Sequence, residues 1–513
     1  SEWQLTSLDD TFVKVVINSA KDFLLKTTAL SEVNAAGQLP DGFSPEKIYP
    51  SRSHPRGLAM TICGASDAVQ SMGIDWELIK QQVSADQISV YAGSCMSQMD
   101  GNSNGGLLQA RLKGKRISAK QLPLGFAEMP ADFINAYILG NLGNTGTNMG
   151  ACATFLYNLR QGMDDISSGR SKIAIVGNSE APLTPEIIEG YTTMGALATD
   201  KSLKQLDNIV AEKELDYTRA CRPFAENTGF VLSESAQFFV LMDDELALQS
   251  GASVLGSIGD IFINADGYKK SISSPGAGNY ITMAKAAQLG KVLFGQKALN
   301  NSVVYAHGTG TPQNRVTESH ILSYVANAFN LSGWSVSAVK SYVGHSLAAA
   351  SGDQLMVALG MWQHGLIPGI QSANKIADDV YTENLHILTQ DVEINRQDVS
   401  FAILNSKGFG GNNASAVIIS PDATLQMLKS KHGSTAVSQW KDKNIRVQQN
   451  SDDYETKYCR GKISPVYIFG KDVINSEDIS IKESVIKLKN QKIPLQTTHQ
   501  YAQYTAKKTM PEA

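Results

Sequence analysis

Cys152 lies in Asn148-Met149-Gly150-Ala151-Cys152-Ala153-Thr154, where a small-residue turn feeds a helix-length run. A thiol at such a junction faces unpaired N–H groups and the positive end of the helix dipole, which favour the thiolate and lower its pKa. A lone free cysteine is more often a core residue, so the reading depends on partners. His307 sits in Tyr305-Ala306-His307-Gly308-Thr309-Gly310-Thr311-Pro312, and His345 in Lys340-Ser341-Tyr342-Val343-Gly344-His345-Ser346. Both stand among small residues, where a side chain can face an open site, and Lys340 precedes His345 by five residues. His54, His320, His364, His386, His432 and His499 lack such surroundings and read as surface or core residues. Two histidines without a third ligand are weak grounds for zinc, and no metal is expected. The run Asn405-Ser406-Lys407-Gly408-Phe409-Gly410-Gly411-Asn412-Asn413 matches neither GK[ST] nor GxGxxG. It reads as a loop whose N–H groups face a developing oxyanion, with Phe409 between glycines as a gate.

Short β-branched runs must carry these residues. Ile88–Tyr91, Lys172–Val176, Val303–Ala306 and Phe401–Leu404 each end in small residues and read as buried strands opening into glycine-rich loops. Helix-length stretches lie between them: Ala153–Ser168, with Phe155, Leu156, Leu159, Met163 and Ile166 at helical spacing, and the alanine-rich Ile281–Val292. Alternating strands and helices predict an α/β fold with mostly parallel strands. Phe238–Met242 and Ala416–Ser420 read as strands closing two successive halves, 1–250 and 251–421, although no sequence repeat relates them. Residues 422–513 are polar and form an appended region in which only Pro465–Phe469 and Val485–Leu488 look strand-like.

The net charge of −4 gives no global reason to expect nucleic acid or an anionic membrane. Five scattered cysteines, Cys63, Cys95, Cys152, Cys221 and Cys459, form no CxxC pair, so a reducing, cytosolic compartment fits best. No apolar run is long enough to span a bilayer, and the polar start is no signal peptide.

Taken in order, GAC152A, H307GTGTP, K340SxxGH345 and the GFGGN near 408–412 resemble the β-ketoacyl-acyl-carrier-protein synthases of the KAS I/II, decarboxylating type, over roughly residues 50–420. Arg222-Pro223-Phe224 through Gly229–Glu234 and Ser273-Ser274-Pro275 are also similar. The polar tail and the KGFGGNN variant are most similar to the FabY-like branch of that family. The resemblance implies a thiolase-like fold, with two pseudo-repeated halves in a five-layer αβαβα arrangement, and a homodimer. It implies transfer of an acyl primer to Cys152, followed by decarboxylative attack of malonyl-acyl-carrier protein, in fatty acid biosynthesis. Initiation with a short acyl-CoA is slightly favoured over elongation. It implies no cofactor beyond the phosphopantetheine that the substrate carries. The N–H groups of Cys152 and Phe409 would form the oxyanion hole, and His307 and His345 would stabilise the enolate. Lys340 would orient the site, and Thr309 and Thr311 would contact pantetheine amides. The segment Arg111–Lys120, with five positive charges and no acid, could dock the acidic carrier protein.

Three departures stand out. No opening strand of the form VxITGxG is found before residue 50; either the chain is truncated or residues are missing behind its continuous numbering, and missing residues are the expectation. Gln354 occupies the place of a glutamate nine residues after the second histidine, and Lys407 stands where an aromatic residue is common. Two rivals are weaker: a thiolase needs a second cysteine near residues 405–413, where there is none, and a non-catalytic chain-length-factor-like partner typically lacks the nucleophile, whereas Cys152, His307, His345 and Lys340 are all present.

Overall fold

The structure is a computed structural model, and it describes residues 3–17, 31–210, 214–271, 274–489 and 491–495. Ser273 and His499 lie outside the described residues. Two mixed sheets organise the body. The first runs Thr145–Gly146, Ile88–Gly93, Ile173–Glu180, Ser235–Met242. Its first three strands are parallel, with Val90 opposite Ile175, and the last is antiparallel. The second runs Leu385–Ile387, Trp334–Ser337, Val303–Tyr305, Phe401–Gly408, Asn412–Ile419, Ser257–Ala265. There four strands are parallel and the last two pairings antiparallel. The order and directions of the four strands of the first sheet repeat in Trp334–Ser337, Val303–Tyr305, Phe401–Gly408 and Asn412–Ile419 of the second, a relation invisible in the amino-acid sequence.

Strand composition explains the layering. Ile173, Ala174, Ile175 and Val176 are all buried, because helices cover both faces of the sheet. Thr154–Ser167 and Ala350–His364 pack between the two sheets, Arg56–Gln70 covers the far face of the first, and Gly278–Asn301 with Pro312–Ala328 covers the far face of the second. This is an αβαβα stack with three apolar cores. Phe155, Leu156 and Leu159 anchor the helix after Cys152 in the central core, each burial stabilising by about 1.5–3 kcal/mol.

The second sheet extends beyond Asn412–Ile419 to Ser257–Ala265. At the matching side of Ser235–Met242 the described residues supply no strand. Trp3–Ser7 and Val13–Ile17 pair with each other and join neither sheet.

Three expectations are corrected. Asn405–Gly408 is no loop: the strand continues through Gly408, and the turn is confined to Phe409–Gly411 before Asn412–Ile419 returns. Pro465–Phe469 is not a strand. The polar tail contains a long helix, Pro421–Cys459, broken at Gly433 (φ +85°). Its buried positions are few (Thr424, Leu428, Trp440, Asn444 and Val447), so it has no continuous apolar stripe to betray it. Hydrogen bonds fix it instead, from Trp440 Nε1 to Ala252 O (2.8 Å), Ser451 Oγ to Ser71 O (2.7 Å) and Tyr454 Oη to Asp67 (2.8 Å). Val485–Leu488 is a strand, central in a three-stranded meander with Ile479–Lys482 and Gln491–Pro494. No helix among the described residues is long and apolar enough to cross a membrane.

Candidate active site

The nucleophile turn is strained and braced. Ala151 has φ +49°, a left-handed conformation that costs a non-glycine residue about 1–3 kcal/mol. Thr154 Oγ1 accepts from Gly150 N (3.0 Å) and donates to Ala151 O (2.6 Å), while Ser406 Oγ donates to Cys152 O (3.0 Å). Gly408 is required here by proximity: a Cβ on it would lie 2.1 Å from Gly150 O and 3.2 Å from Cys152 N. The end of the strand Phe401–Gly408 thus rests on the turn, and the backbone N–H groups of Phe409 and Cys152 both face the sulfur. Glycines at φ +85° and +89° follow Phe409, a backbone able to swing its ring.

Burial corrects the expected acidity. Cys152 is buried, and its pKa is pushed up to about 11; Lys340 and the two N–H groups pull it down but do not win. The helix start alone suggests the opposite sign, because the sequence does not show how little water reaches the sulfur. The resting residue at neutral pH is therefore a thiol. Alkylation of Cys152 by iodoacetamide, followed at the peptide level, should rise about tenfold per pH unit from pH 6.5 to 9.5 without levelling off. A plateau near neutrality would instead mark a preformed thiolate.

His307 and His345 meet edge to face, with ring centroids 5.5 Å apart. His307 leaves the end of Val303–Tyr305, and His345 is held by its N–H to Val231 O (2.7 Å) and by Phe230, whose ring centroid is 5.2 Å away. Nδ1 of His345 accepts from Leu347 N (3.3 Å), which leaves the proton on Nε2 as a donor. Nδ1 of His307 is buried without a partner. Burial first, then nearby Lys340, holds both imidazoles well below their ordinary pKa, so both are neutral. Lys340 is buried too and donates from Nζ to His307 O (2.6 Å). Burial lowers its pKa, while Cys152 and Glu318 oppose that shift. Thr309 and Thr311 join through their hydroxyls (3.1 Å), and Thr311 also caps the helix Pro312–Ala328.

Sequence reasoning missed Glu318, which is fully buried. Its carboxylate accepts from the N–H groups of His307 (2.7 Å) and Gly308 (2.8 Å), and from the amides of Asn314 and Asn405. A signal existed: Glu318 shares a helical face with buried Ile321, Leu322 and Val325, where an acid is out of place. Glu180, buried at the end of its strand and pushed up to about 7 by burial, anchors Ser94 and Cys95 near the sulfur. Lys407 turns to Thr317 Oγ1 (3.1 Å).

Gln354 keeps a hydrogen-bonding role. Its amide nitrogen donates among the carbonyls of Tyr305 (3.3 Å), Ala306 (2.8 Å) and Asn405 (3.0 Å), so it ties together the strand ends that carry His307 and Phe409. Gln354→Glu would set a carboxylate against three carbonyls. Unpaired buried groups cost about 1–3 kcal/mol each, and the displaced site should lose at least about tenfold in turnover. Differential scanning calorimetry and steady-state kinetics check both; a variant with native values would show that the bracket is dispensable.

The model of "Beta-ketoacyl synthase, N-terminal domain" matches residues 50–247, and that of "Beta-ketoacyl synthase, C-terminal domain" matches residues 255–374. The chain is 49% identical over 498 residues to "Beta-ketoacyl-[acyl-carrier-protein] synthase FabY" of Pseudomonas aeruginosa, covering 96% of this chain and 78% of the relative. It is 28% identical over 398 residues to "3-oxoacyl-[acyl-carrier-protein] synthase 2" of Staphylococcus aureus, covering 74% and 89%. The crystal structure of the P. aeruginosa ketosynthase FabY superposes with a TM-score of 0.93 at 47% identity, over 98% of this chain and 79% of that one. The ishigamide ketosynthase/chain length factor, at 23% identity and a TM-score of 0.60 over 76% and 88% of the two chains, shares the fold.

Proposed function

The chain belongs to the β-ketoacyl-acyl-carrier-protein synthase family, with its thiolase-like fold, and from that premise we propose how its residues carry out the condensation. It is an acyltransferase of fatty acid biosynthesis. Cys152 takes the acyl group from a thioester, its S–H proton going to the departing thiol, which divides one hard transfer into two easier ones. The N–H groups of Cys152 and Phe409 hold the oxyanion of each tetrahedral intermediate. Malonyl-acyl-carrier protein then enters and loses carbon dioxide. Neutral His307 and His345 donate hydrogen bonds to its thioester oxygen as the enolate forms. The nascent carbanion attacks the acyl carbon, the sulfur leaves, and a β-ketoacyl thioester is released. Lys340 is a positioning residue that holds His307 through its carbonyl. Thr309 and Thr311 contact the pantetheine amides, and the chain works as a homodimer.

The observation that carries this reading is that buried Lys340 and the N–H groups of Phe409 and Cys152 act on the Cys152 sulfur, while the same lysine holds His307, which meets His345 edge to face. Intact mass after incubation with acetyl-CoA tests it: a 42 Da adduct, the mass of an acetyl group replacing a proton, should map to Cys152. No adduct from any competent acyl thioester would sink it. A short primer is supported by the packing around the sulfur, where Ile187, Phe230 and Leu347 close in and Tyr191 Oη bridges to Met96 Sδ (3.6 Å). Among acyl-CoA primers, two- to four-carbon chains should therefore load fastest.

The segment Arg111–Lys120 is exposed throughout, which supports its reading as a docking face for the acidic carrier. Replacing Lys113, Lys115 and Arg116 with glutamate should raise KM for malonyl-acyl-carrier protein by about tenfold and weaken its salt dependence. Loading from acetyl-CoA should not change. Equal KM values in variant and wild type would remove this face from the docking surface.

A further inference from the structure

After the long helix, residues 462–468 run across the first half as an arm without helix or strand. The arm is built into that half. Val466 N donates to Ser66 Oγ (2.7 Å) on the helix Arg56–Gln70, and Val466 and Tyr467 pack on the apolar core that holds Phe133, Ile134 and Ile138. Ile468 N donates to Tyr137 O (2.8 Å). The Tyr137 ring packs against Tyr467 (5.3 Å) and Phe469 (5.7 Å), which stack on each other, and the Arg52 guanidinium sits 4.4 Å over Phe469.

Tyr137 belongs to a widened π-turn, Asn135–Leu139, closed by Gly140 at φ +65°. Such turns carry an extra residue and recur where backbone must be aimed at a functional site. From this turn Asn135 Nδ2 donates to Thr145 Oγ1 (2.7 Å). Thr145–Gly146 pairs with Val90 and Tyr91 and leads directly into the nucleophile turn, where Asn148 N donates to Asn158 Oδ1 (2.7 Å) on the helix after Cys152.

We propose that the C-terminal arm is a positioning element for the reacting cysteine: Pro465–Phe469 fixes the Asn135–Leu139 turn, which sets the edge strand Thr145–Gly146 and the Asn148–Cys152 backbone. The inference rests on the reading of Cys152 as the acyl acceptor, and it gives the polar extension a role in catalysis. The arm touches no substrate; it acts through Tyr137 and Asn135.

Two variants of the full chain separate positioning from plain packing. Ile468→Pro deletes the N–H that reaches Tyr137, whereas Ile468→Ala keeps it. Ile468→Pro should lower kcat about tenfold with KM for malonyl-acyl-carrier protein unchanged. It should also speed hydrogen exchange at residues 145–150, but not in the central helix Ala350–His364, and alter the alkylation rate of Cys152. Ile468→Ala should resemble wild type. Asn135→Ala should reproduce the Ile468→Pro effects, and the double variant should fall short of their sum, as expected of residues acting through one chain of contacts. If Ile468→Pro does not fold, Phe469→Ala with the same readouts decides. Native exchange at 145–150 and native alkylation of Cys152, in a variant with a lowered melting temperature, would overturn the proposal. Exchange and alkylation need no substrate, so failure of the arm's role is distinguishable from failure of the acyl-acceptor reading, which would appear as a missing acyl adduct.

Discussion

Cys152→Ala abolishes the acyl adduct and lowers condensation by at least about 10⁴-fold, the scale seen when a nucleophile is removed from a machine that depends on it. The fold should survive. Cys152 contributes a small side chain to its cluster, and the turn is held by Thr154 and Ser406, not by the sulfur. The loss should be confined to one half of the cycle. The imidazoles are held from elsewhere, His307 through Glu318 and Lys340, His345 through Val231 and Leu347. Decarboxylation of malonyl-acyl-carrier protein should therefore persist in Cys152→Ala and release acetyl-acyl-carrier protein. The measurement is mass spectrometry of the carrier after incubation without primer. Loss of decarboxylation together with acylation would mean that the sulfur also holds the malonyl group.

The second large effect is the mirror image. His307→Ala/His345→Ala should keep the acyl adduct on Cys152 and lose malonyl decarboxylation. Each donor aimed at a developing oxyanion is worth about 10²–10³ in rate, so the pair should cost at least about 10³-fold. The acyl adduct should still form because its oxyanion is held by the N–H groups of Cys152 and Phe409, which neither substitution touches. Removing His345 deprives the Leu347 N–H of its acceptor, so a thermal melt should accompany the assay. Retained decarboxylation in a folded double variant would overturn the roles given to both histidines.

The pattern of GAC152A, H307GTGTP, K340SxxGH345 and the late glycine turn was legible because small residues leave room for a reactive side chain only at a few places. The strands were legible because β-branched runs buried on both faces have no polar interruptions. The roles of Glu318 and Gln354, and of buried Asp353 on the helix Ala350–His364, were not legible for the opposite reason. Their importance lies in what they accept from or donate to: the N–H groups of His307 and Gly308, the hydroxyls of Ser235 and Ser346, and three strand-end carbonyls. None of those partners is a near neighbour of all the others in sequence. The long helix Pro421–Cys459 was obscure because scattered hydrogen bonds and a few buried positions, rather than an apolar stripe, hold it.

The amino-acid sequence by itself determined the chemistry available: one cysteine at a helix start, two histidines and a lysine in small-residue settings, and strands to carry them. These are local properties, set by residue type and spacing. Only the tertiary structure decided how that chemistry is tuned. It buries Cys152 until its pKa rises to about 11, against the lowering expected of a helix start. It holds both imidazoles neutral, and it lays the C-terminal arm against the turn that leads to the nucleophile. Desolvation depends on everything packed around a group, and long-range contacts depend on which distant segments meet, so neither is encoded within a short window of residues.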